Sequence, residues 1–328
     1  MSQNNESSAH TSITRSADAD RGLLATVARA YYIENLTRLE IAELLGISRF
    51  KVARLLSRAR EEGVVEIAIN DVGLPDALLA ARLKALLGLD ACLVVNCHGD
   101  DESIRRQVGG AAAGMLSETL QAGEVLGVAW GRTLTATAEL VGELPPLTIV
   151  QLTGFVARDL RASPIDVLRQ ASRRWDSEVY PVFAPLCVPD PETAAGLRGH
   201  PDIKAAMDLF PSVTTALLSV GSWEPPDSLV RDVLAADDLA NAVERGCVAD
   251  IAGILVGEDG SPVDPEFQER CINISYEQLR AVPRVIAVVG GAAKARAIRA
   301  VAGAGLISEL VTDQRLAHAI LDGAAVSL

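Results

Sequence analysis

No run of about 18 consecutive apolar residues occurs anywhere in the 328-residue chain, so no segment is built to cross a bilayer as a helix. The first 20 residues are polar and lack the apolar core of a signal peptide; they are expected to form a disordered tail on a soluble, cytoplasmic protein. Cysteine is scarce and odd in number. Cys92, Cys97, Cys187, Cys247 and Cys271 sit mostly in apolar runs with no CxxC, which favours buried free thiols in a reducing compartment over disulfides. His10, His98, His200 and His318 are scattered without ligand spacing, so no metal is expected. Neither GxGxxG nor GxxxxGK(S/T) occurs, which removes the dinucleotide fingerprint and the P-loop, and no cofactor is expected.

What the chain has in quantity is acid. The formal net charge is −13, which argues against nucleic acid binding by the surface as a whole. The distribution matters more than the sum: residues 1–71 hold nine Lys/Arg against ten Asp/Glu, leaving 21 against 33 in residues 72–328. An acidic body behind a locally basic segment would turn DNA away everywhere except at one face.

That segment is Thr37–Gly63. Thr37 followed by Glu40 reads as a capping box, predicting a helix that buries Ile41, Leu44 and Leu45 and ends at Gly46. Ser48 then caps a second helix with Val52, Leu55, Leu56 and Ala59 at i, i+3, i+4 and i+7. Its five basic residues meet no acid before Arg60; Lys51, Arg54 and Arg58 fall within a ~60° arc and Arg49 in the exposed first turn. With a preceding helix over Leu23–Tyr32 and an alternating strand-like Val64–Ile69 after it, the segment reads as a winged helix-turn-helix. Its second helix would enter a major groove, with candidate DNA contacts at Thr37, Ser48, Arg49, Lys51, Arg54 and Arg58. A basic amphipathic helix can also be merely a solvated one.

Length and 49% hydrophobic content allow roughly two domains. We expect a tail over 1–20, the DNA-binding domain over 21–70 and a large α/β domain over 71–328. In the latter, strand-like runs at Leu93–Asn96, Val125–Ala129, Thr148–Leu152, Val179–Phe183, Ala216–Val220, Ile251–Val256, Val285–Val289 and Glu309–Thr312 alternate with helical segments. The helices are Glu102–Leu120, Thr133–Leu140, Pro164–Trp175, Ile203–Leu209 and Lys294–Ala302. Such alternation predicts a largely parallel, Rossmann-like sheet covered on both faces, with ligands at the carboxyl ends of its strands.

Three strand ends carry chemistry. Trp130-Gly131-Arg132-Thr133 turns from a strand into a helix, where backbone N–H groups, the guanidinium and the hydroxyl can take an anion; an ordinary βα turn is the alternative. Lys294 follows Gly290-Gly291 near a helix start, unfavourable for the helix dipole unless an anion compensates, though it can also simply reach solvent. Asp250 lies in the apolar run Gly246–Gly253 and needs a partner, which sugar hydroxyls, Lys294 or a turn can provide. Gln151, with Gly154 after it, ends a strand and can bond a polyol or serve an edge.

Taken together these segments resemble the SorC family of bacterial transcriptional regulators, DeoR-like and sugar-binding, over Leu23–Leu321. The carriers include Ala30-Tyr31-Tyr32, Leu45-Gly46-Ile47-Ser48-Arg49, Ala59–Gly63, Trp130–Thr133, Gly246–Gly253, Asp259-Gly260, Gly290-Gly291 with Lys294, and Leu310–Asp313. Arg38 and Ala53 depart from the glutamine and serine common there. The resemblance implies an effector domain like ribose-5-phosphate isomerase and glucosamine-6-phosphate deaminase that binds a sugar or phosphosugar without converting it. It implies a homotetramer, a phosphate held by Gly131, Arg132 and Thr133, a sugar facing Asp250 and Lys294, and Trp130, Gln151 and Gly154 lining the pocket.

The expected function is a regulator of a sugar or polyol catabolic operon, controlled by a sugar or polyol effector, phosphorylated in the reading we favour. The rival is a sugar-phosphate isomerase or deaminase fused to a DNA-binding domain, which needs an acid/base set, and Asp250 has no second carboxylate or histidine beside it in the motifs. A purely structural DNA-bound scaffold would respond to no small molecule.

Overall fold

The computed structural model describes residues 20–65, 73–156, 168 and 177–325, and the chain divides into two compact units between residues 70 and 71. In the first, α1 (residues 20–32), α2 (Arg38–Leu45) and α3 (Arg49–Glu61) surround one small core. The Thr37 hydroxyl accepts from the Glu40 N–H at 3.3 Å while the Glu40 carboxylate accepts from the Thr37 N–H at 2.7 Å, so two orphan donors at the start of α2 are satisfied. Gly46 ends α2 at φ 62°, a left-handed conformation open to a residue without Cβ, and its N–H reaches back to the carbonyls of Ala42 and Glu43. Ser48 caps α3, accepting from the Lys51 N–H at 3.2 Å.

The α3 stripe of Val52, Leu55, Leu56 and Ala59 packs on Ile41, Ala42, Leu24, Val27 and Ala28. One expectation fails: Leu44 and Leu45 are 72% and 37% exposed. The core takes Ile41 and Ala42, and Leu44 points about 110° away from the midline of that pair at 100° per residue. Leu45 shares their direction but lies in the last turn. Of the strand expected at Val64–Ile69, only Val64 and Val65 are among the described residues, and both donate to the Ala59 carbonyl.

The second unit is built on a parallel sheet of seven strands: β1 (Ala91–Val95), β2 (Val125–Val128), β3 (Thr148–Gln151), β4 (Glu178–Tyr180), β5 (Thr215–Leu218), β10 (Arg284–Val288) and β11 (Glu309–Asp313). Their spatial order is β1-β11-β10-β5-β2-β3-β4. The apolar residues go to both faces: along β10, Val285 and Ala287 join one core cluster while Ile286 and Val288 join the other. A strand buried on both sides cannot alternate, which is why these runs read as uninterrupted. Among the described residues it carries helices α4 (Ala77–Leu87), α5 (Asp101–Thr119), α6 (Arg132–Leu140), α7 (Pro191–Arg198), α8 (Pro201–Met207), α9 (Ala236–Glu244), α10 (Pro265–Glu269), α11 (Tyr276–Ala281), α12 (Ala295–Gly303) and α13 (Gln314–Ala325). The helix expected at Pro164–Trp175 lies, save Leu168, outside the described residues.

A second sheet was not foreseen. Four antiparallel strands, β6 (Val220–Trp223), β7 (Pro226–Asp227), β8 (Cys247–Ile251) and β9 (Ile254–Gly257), are ordered β7-β6-β8-β9. The single strand expected at Ile251–Val256 is therefore corrected to a tight hairpin, Ile251 opposite Ile254, turning at Ala252-Gly253. The run expected at Ala216–Val220 likewise ends β5 at Leu218 and starts β6 at Val220.

Candidate functional site

Adjacent strands β10, β5 and β2 end side by side. Beyond them lie Gly290 and Lys294, then Ser219-Val220-Gly221, then Ala129-Trp130-Gly131. With Arg132, Asp227 and Asp250 these line an open cleft of about 550 Å³, mouth included. That is the carboxyl edge where open α/β sheets bind ligands. Arg132 opens α6, whose N-terminus no side chain caps, so the first-turn N–H groups lack intrahelical acceptors.

The charges of the cleft are arranged around Asp227. Its carboxylate pairs with the Arg132 guanidinium and stands 3.4 Å from the Lys294 ammonium. Burial opposes ionisation of Asp227, but the charges of Lys294 and Arg132 outweigh it and hold the carboxyl below the usual carboxylate range. Lys294 is the last residue of a short 3₁₀ turn at Ala292–Lys294 just before α12; it is buried and donates to the Val220 carbonyl at 2.7 Å. Burial depresses its pKa, against the pull of Asp227 and Asp250. The anion that the position of this lysine demanded is thus supplied by the chain itself.

Asp250 is buried on β8. Its Oδ1 accepts from Trp223 Nε1 at 2.9 Å and from the Ser228 hydroxyl. Burial raises its pKa although those bonds and Lys294 work the other way. The folded protein therefore holds this proton to higher pH than the unfolded chain does. The resulting stability is fully present below the unfolded carboxylate value and is lost as pH rises through the raised one. An asparagine in its place would keep an acceptor at Oδ1 without a charge to desolvate. We expect the urea midpoint of Asp250→Asn, relative to wild type, to climb between pH 4 and pH 8; a difference that stays flat with pH would contradict the assignment.

Of the residues expected to line the pocket, Trp130, Gly131, Arg132, Thr133, Asp250 and Lys294 meet in the cleft. Gln151 and Gly154 lie outside its lining. The Gln151 amide is taken up by backbone: it donates to the Thr153 carbonyl at 2.5 Å and accepts from the Val182 N–H at 3.2 Å. Gly154 lies between two neighbouring backbones, its N–H bonded to the Ile272 carbonyl at 2.6 Å. Missing from the expectation were Arg105, Ser219–Gly221 and Asp227–Leu229. Pro225-Pro226-Asp227-Ser228 is a turn-rich stretch with an acid after an apolar strand, a pattern that pointed there.

On the first unit, α3 presents Arg49, Phe50, Lys51 and Arg54 to solvent. Arg58 is engaged, bonded to Glu62 at 2.8 Å and Asp20 at 3.0 Å, which raises its pKa further. Thr37 and Ser48 serve as caps. Phe50 is 74% exposed, with the Arg49 guanidinium 5.1 Å from its ring centroid, and no local sequence signal marks it.

A small helical unit with a basic outer helix, carried with an α/β domain that has a charged cleft at its sheet edge, defines a ligand-responsive regulator by class. The family "Putative sugar-binding domain" matches residues 75–322. The transcriptional regulator YjhU of Escherichia coli K12 is 29% identical, over 89% of this chain and 92% of its own. The erythritol catabolism regulatory protein EryD of Brucella abortus is 27% identical, over 93% and 98%. The full-length sorbitol operon regulator SorC of Klebsiella pneumoniae has the same fold, with a TM-score of 0.69 at 24% identity over 92% and 99%. The chain belongs to the SorC family of sugar-binding-domain transcriptional regulators and is not an enzyme. Among the described residues no helix is long and apolar enough to cross a membrane.

Proposed function

We propose that this regulator controls a sugar or polyol catabolic operon from the cytoplasm as a homo-oligomer, a tetramer by analogy with its family. In this reading the first unit is a winged helix-turn-helix that reads a palindromic operator through Ser48–Arg58, and the α/β unit is a ribose-5-phosphate isomerase-like effector domain. The observation that carries it is the cluster of Arg132, Asp227, Lys294 and Asp250 at the ends of β2, β5 and β10. Two cations already held in place suit a phosphate or the anomeric end of a sugar, and a buried acid suits hydroxyls. An anionic effector would take over the cations from Asp227, moving the β7 turn. Gly131 and Thr133 would add donors at the start of α6, with Trp130 walling the sugar. The name of EryD favours a polyol. Effector and operator would be coupled reciprocally, by about 1–3 kcal/mol if typical.

The test is a thermal-shift screen of sugars, polyols and their phosphates, repeated with operator DNA. No stabilisation by any of them would refute the effector reading. On the DNA side, Lys51 and Arg54 face solvent and Arg49 lies over Phe50, whereas Arg58 would have to leave Asp20 and Glu62 to reach a phosphate. We expect Arg54→Ala to weaken operator binding by about 1–3 kcal/mol, with relaxed preference at one base if it pairs with guanine. An unchanged mobility-shift affinity and salt slope would remove α3 from the interface.

A further inference from the structure

Two of the five cysteines face each other across an antiparallel bridge. Cys187 pairs with Cys271, and the backbone bonds flank the pair: the Val188 N–H donates to the Arg270 carbonyl at 3.0 Å and the Ile272 N–H to the Leu186 carbonyl at 2.7 Å. This is the narrow, non-hydrogen-bonded register, in which opposed Cα atoms lie ~4.5 Å apart and side chains approach most closely. Disulfides span Cα separations of about 4.4–6.8 Å, so a bridge here asks for little backbone movement. Both thiols are free; Cys187 is partly exposed and Cys271 fully buried.

We propose that Cys187 and Cys271 form a redox modification site that a hydroperoxide converts to an intramolecular disulfide. The Cys187 thiolate attacks the peroxide, its sulfur takes the distal oxygen as the O–O bond breaks, and the leaving oxygen is protonated to water or alcohol. The Cys271 sulfur then attacks the sulfenic sulfur; the S–O bond breaks, an S–S bond forms, and hydroxide leaves with the Cys271 proton as water. Two thiols give up two electrons and the peroxide accepts them.

The two sulfurs are unequal in the way this order requires. The neighbouring Cys271 thiol, above all, holds Cys187 below the ordinary thiol range against burial, with Arg270 assisting, while the Cys271 S–H itself donates to the Phe267 carbonyl at 3.3 Å. Cys271 is pushed up by burial. The other three thiols are pushed up by burial as well, Cys92 to about 12 and Cys97 to about 11. Thiolate character therefore concentrates on Cys187.

The site reaches the cleft through neighbours. Cys271 and Leu186 pack in one apolar cluster with Trp130 and Trp223, and Trp223 donates to Asp250. Asn273, two residues on from Cys271, donates to the Ala252 carbonyl at 2.9 Å, and Ala252 lines the cleft. With the backbone nearly unmoved, closing the bridge would act on the cleft through the side-chain packing of this cluster, whatever the effector proves to be.

The experiment is a hydrogen peroxide titration of the full chain, followed by differential alkylation, peptide mapping and tryptophan emission. Expected is joint loss of alkylation at Cys187 and Cys271, one disulfide-linked peptide pair two hydrogens lighter, a shift in emission, and reversal of all three by dithiothreitol. Cys271→Ser should leave a Cys187 sulfenic acid that dimedone traps, and Cys187→Ser should form no bridge. Independent modification of the two residues, faster reaction at Cys92, Cys97 or Cys247, or two unmodified thiols would overturn the site. Full disulfide formation with unaltered emission would overturn its link to the cleft.

Discussion

Lys294→Met should remove most or all of the effector-induced stabilisation, with affinity lowered by about 2–5 kcal/mol, roughly 30-fold to several thousand-fold, the cost of removing one partner of a buried charge pair. Methionine retains most of the stem and removes the ammonium that donates to the Val220 carbonyl and faces Asp227 at 3.4 Å. Two effects on the unliganded protein oppose each other. Desolvation of the lysine is unfavourable, as its depressed pKa records, so its loss relieves a cost. Against this, Asp227 keeps only Arg132 and the Val220 carbonyl loses its donor. Apo stability should therefore change little while binding changes much. At a ligand concentration 100 times Kd, the wild type gains about 2.7 kcal/mol by mass action, and at that same concentration the variant should gain about 0.9 kcal/mol at the smaller loss and next to nothing at the larger. A variant that shifts with the effector as far as the wild type does and responds to it equally on operator DNA would place the binding site elsewhere.

The parts of this arrangement that local chemistry dictates were legible in the sequence. Thr37, Gly46 and Ser48 act within three or four residues of themselves, and each caps or ends the helix it was expected to. The unbroken apolar runs of β2, β5 and β10 announced a sheet covered on both faces, and placing the cleft beyond those strands followed from that architecture. What escaped depends on groups far apart in the chain. Asp227 meets Lys294 across 67 positions, and nothing near either residue encodes the pairing. The Ile251–Val256 run hid a hairpin because both of its strands are buried and its left-handed turn residues are Ala252 at φ 50° and Gly253 at φ 78° instead of the usual Asn-Gly. Gln151 offers a polyol ligand or an edge role, because a polar strand end signals unmet bonding capacity; the backbone of Thr153 and Val182 meets that capacity.

Gly154 gives the sharpest separation of a packing role from a binding one. Thr153-Gly154-Phe155 is threaded between two backbones, with bridges from Thr153 to Asn273 and from Phe155 to Pro185. The Gly154 N–H donates to Ile272 on one side, and the Phe155 N–H donates to the Ala184 carbonyl at 2.8 Å on the other. A Cβ on Gly154 would stand 2.6 Å from the Ala184 carbonyl oxygen and closer still to that of Pro185. Those are backbone atoms, and the bridge bonds that hold them leave no flexible tip to move aside. Gly154→Ala should therefore cost about 3 kcal/mol or more, at the upper end of what overpacking does. With about 2–4 °C lost per kcal/mol in a domain of this size, the melting temperature of the unliganded protein should fall by roughly 6–12 °C. A residue that merely lined the cleft would behave in the opposite way, its substitution leaving apo stability within about 0.5 kcal/mol and removing the effector response. Unchanged apo melting with a lost effector shift in Gly154→Ala would return this glycine to the cleft. A large apo loss, with the shift preserved in whatever fraction folds, would confirm that the chain needs it for close approach of three backbones.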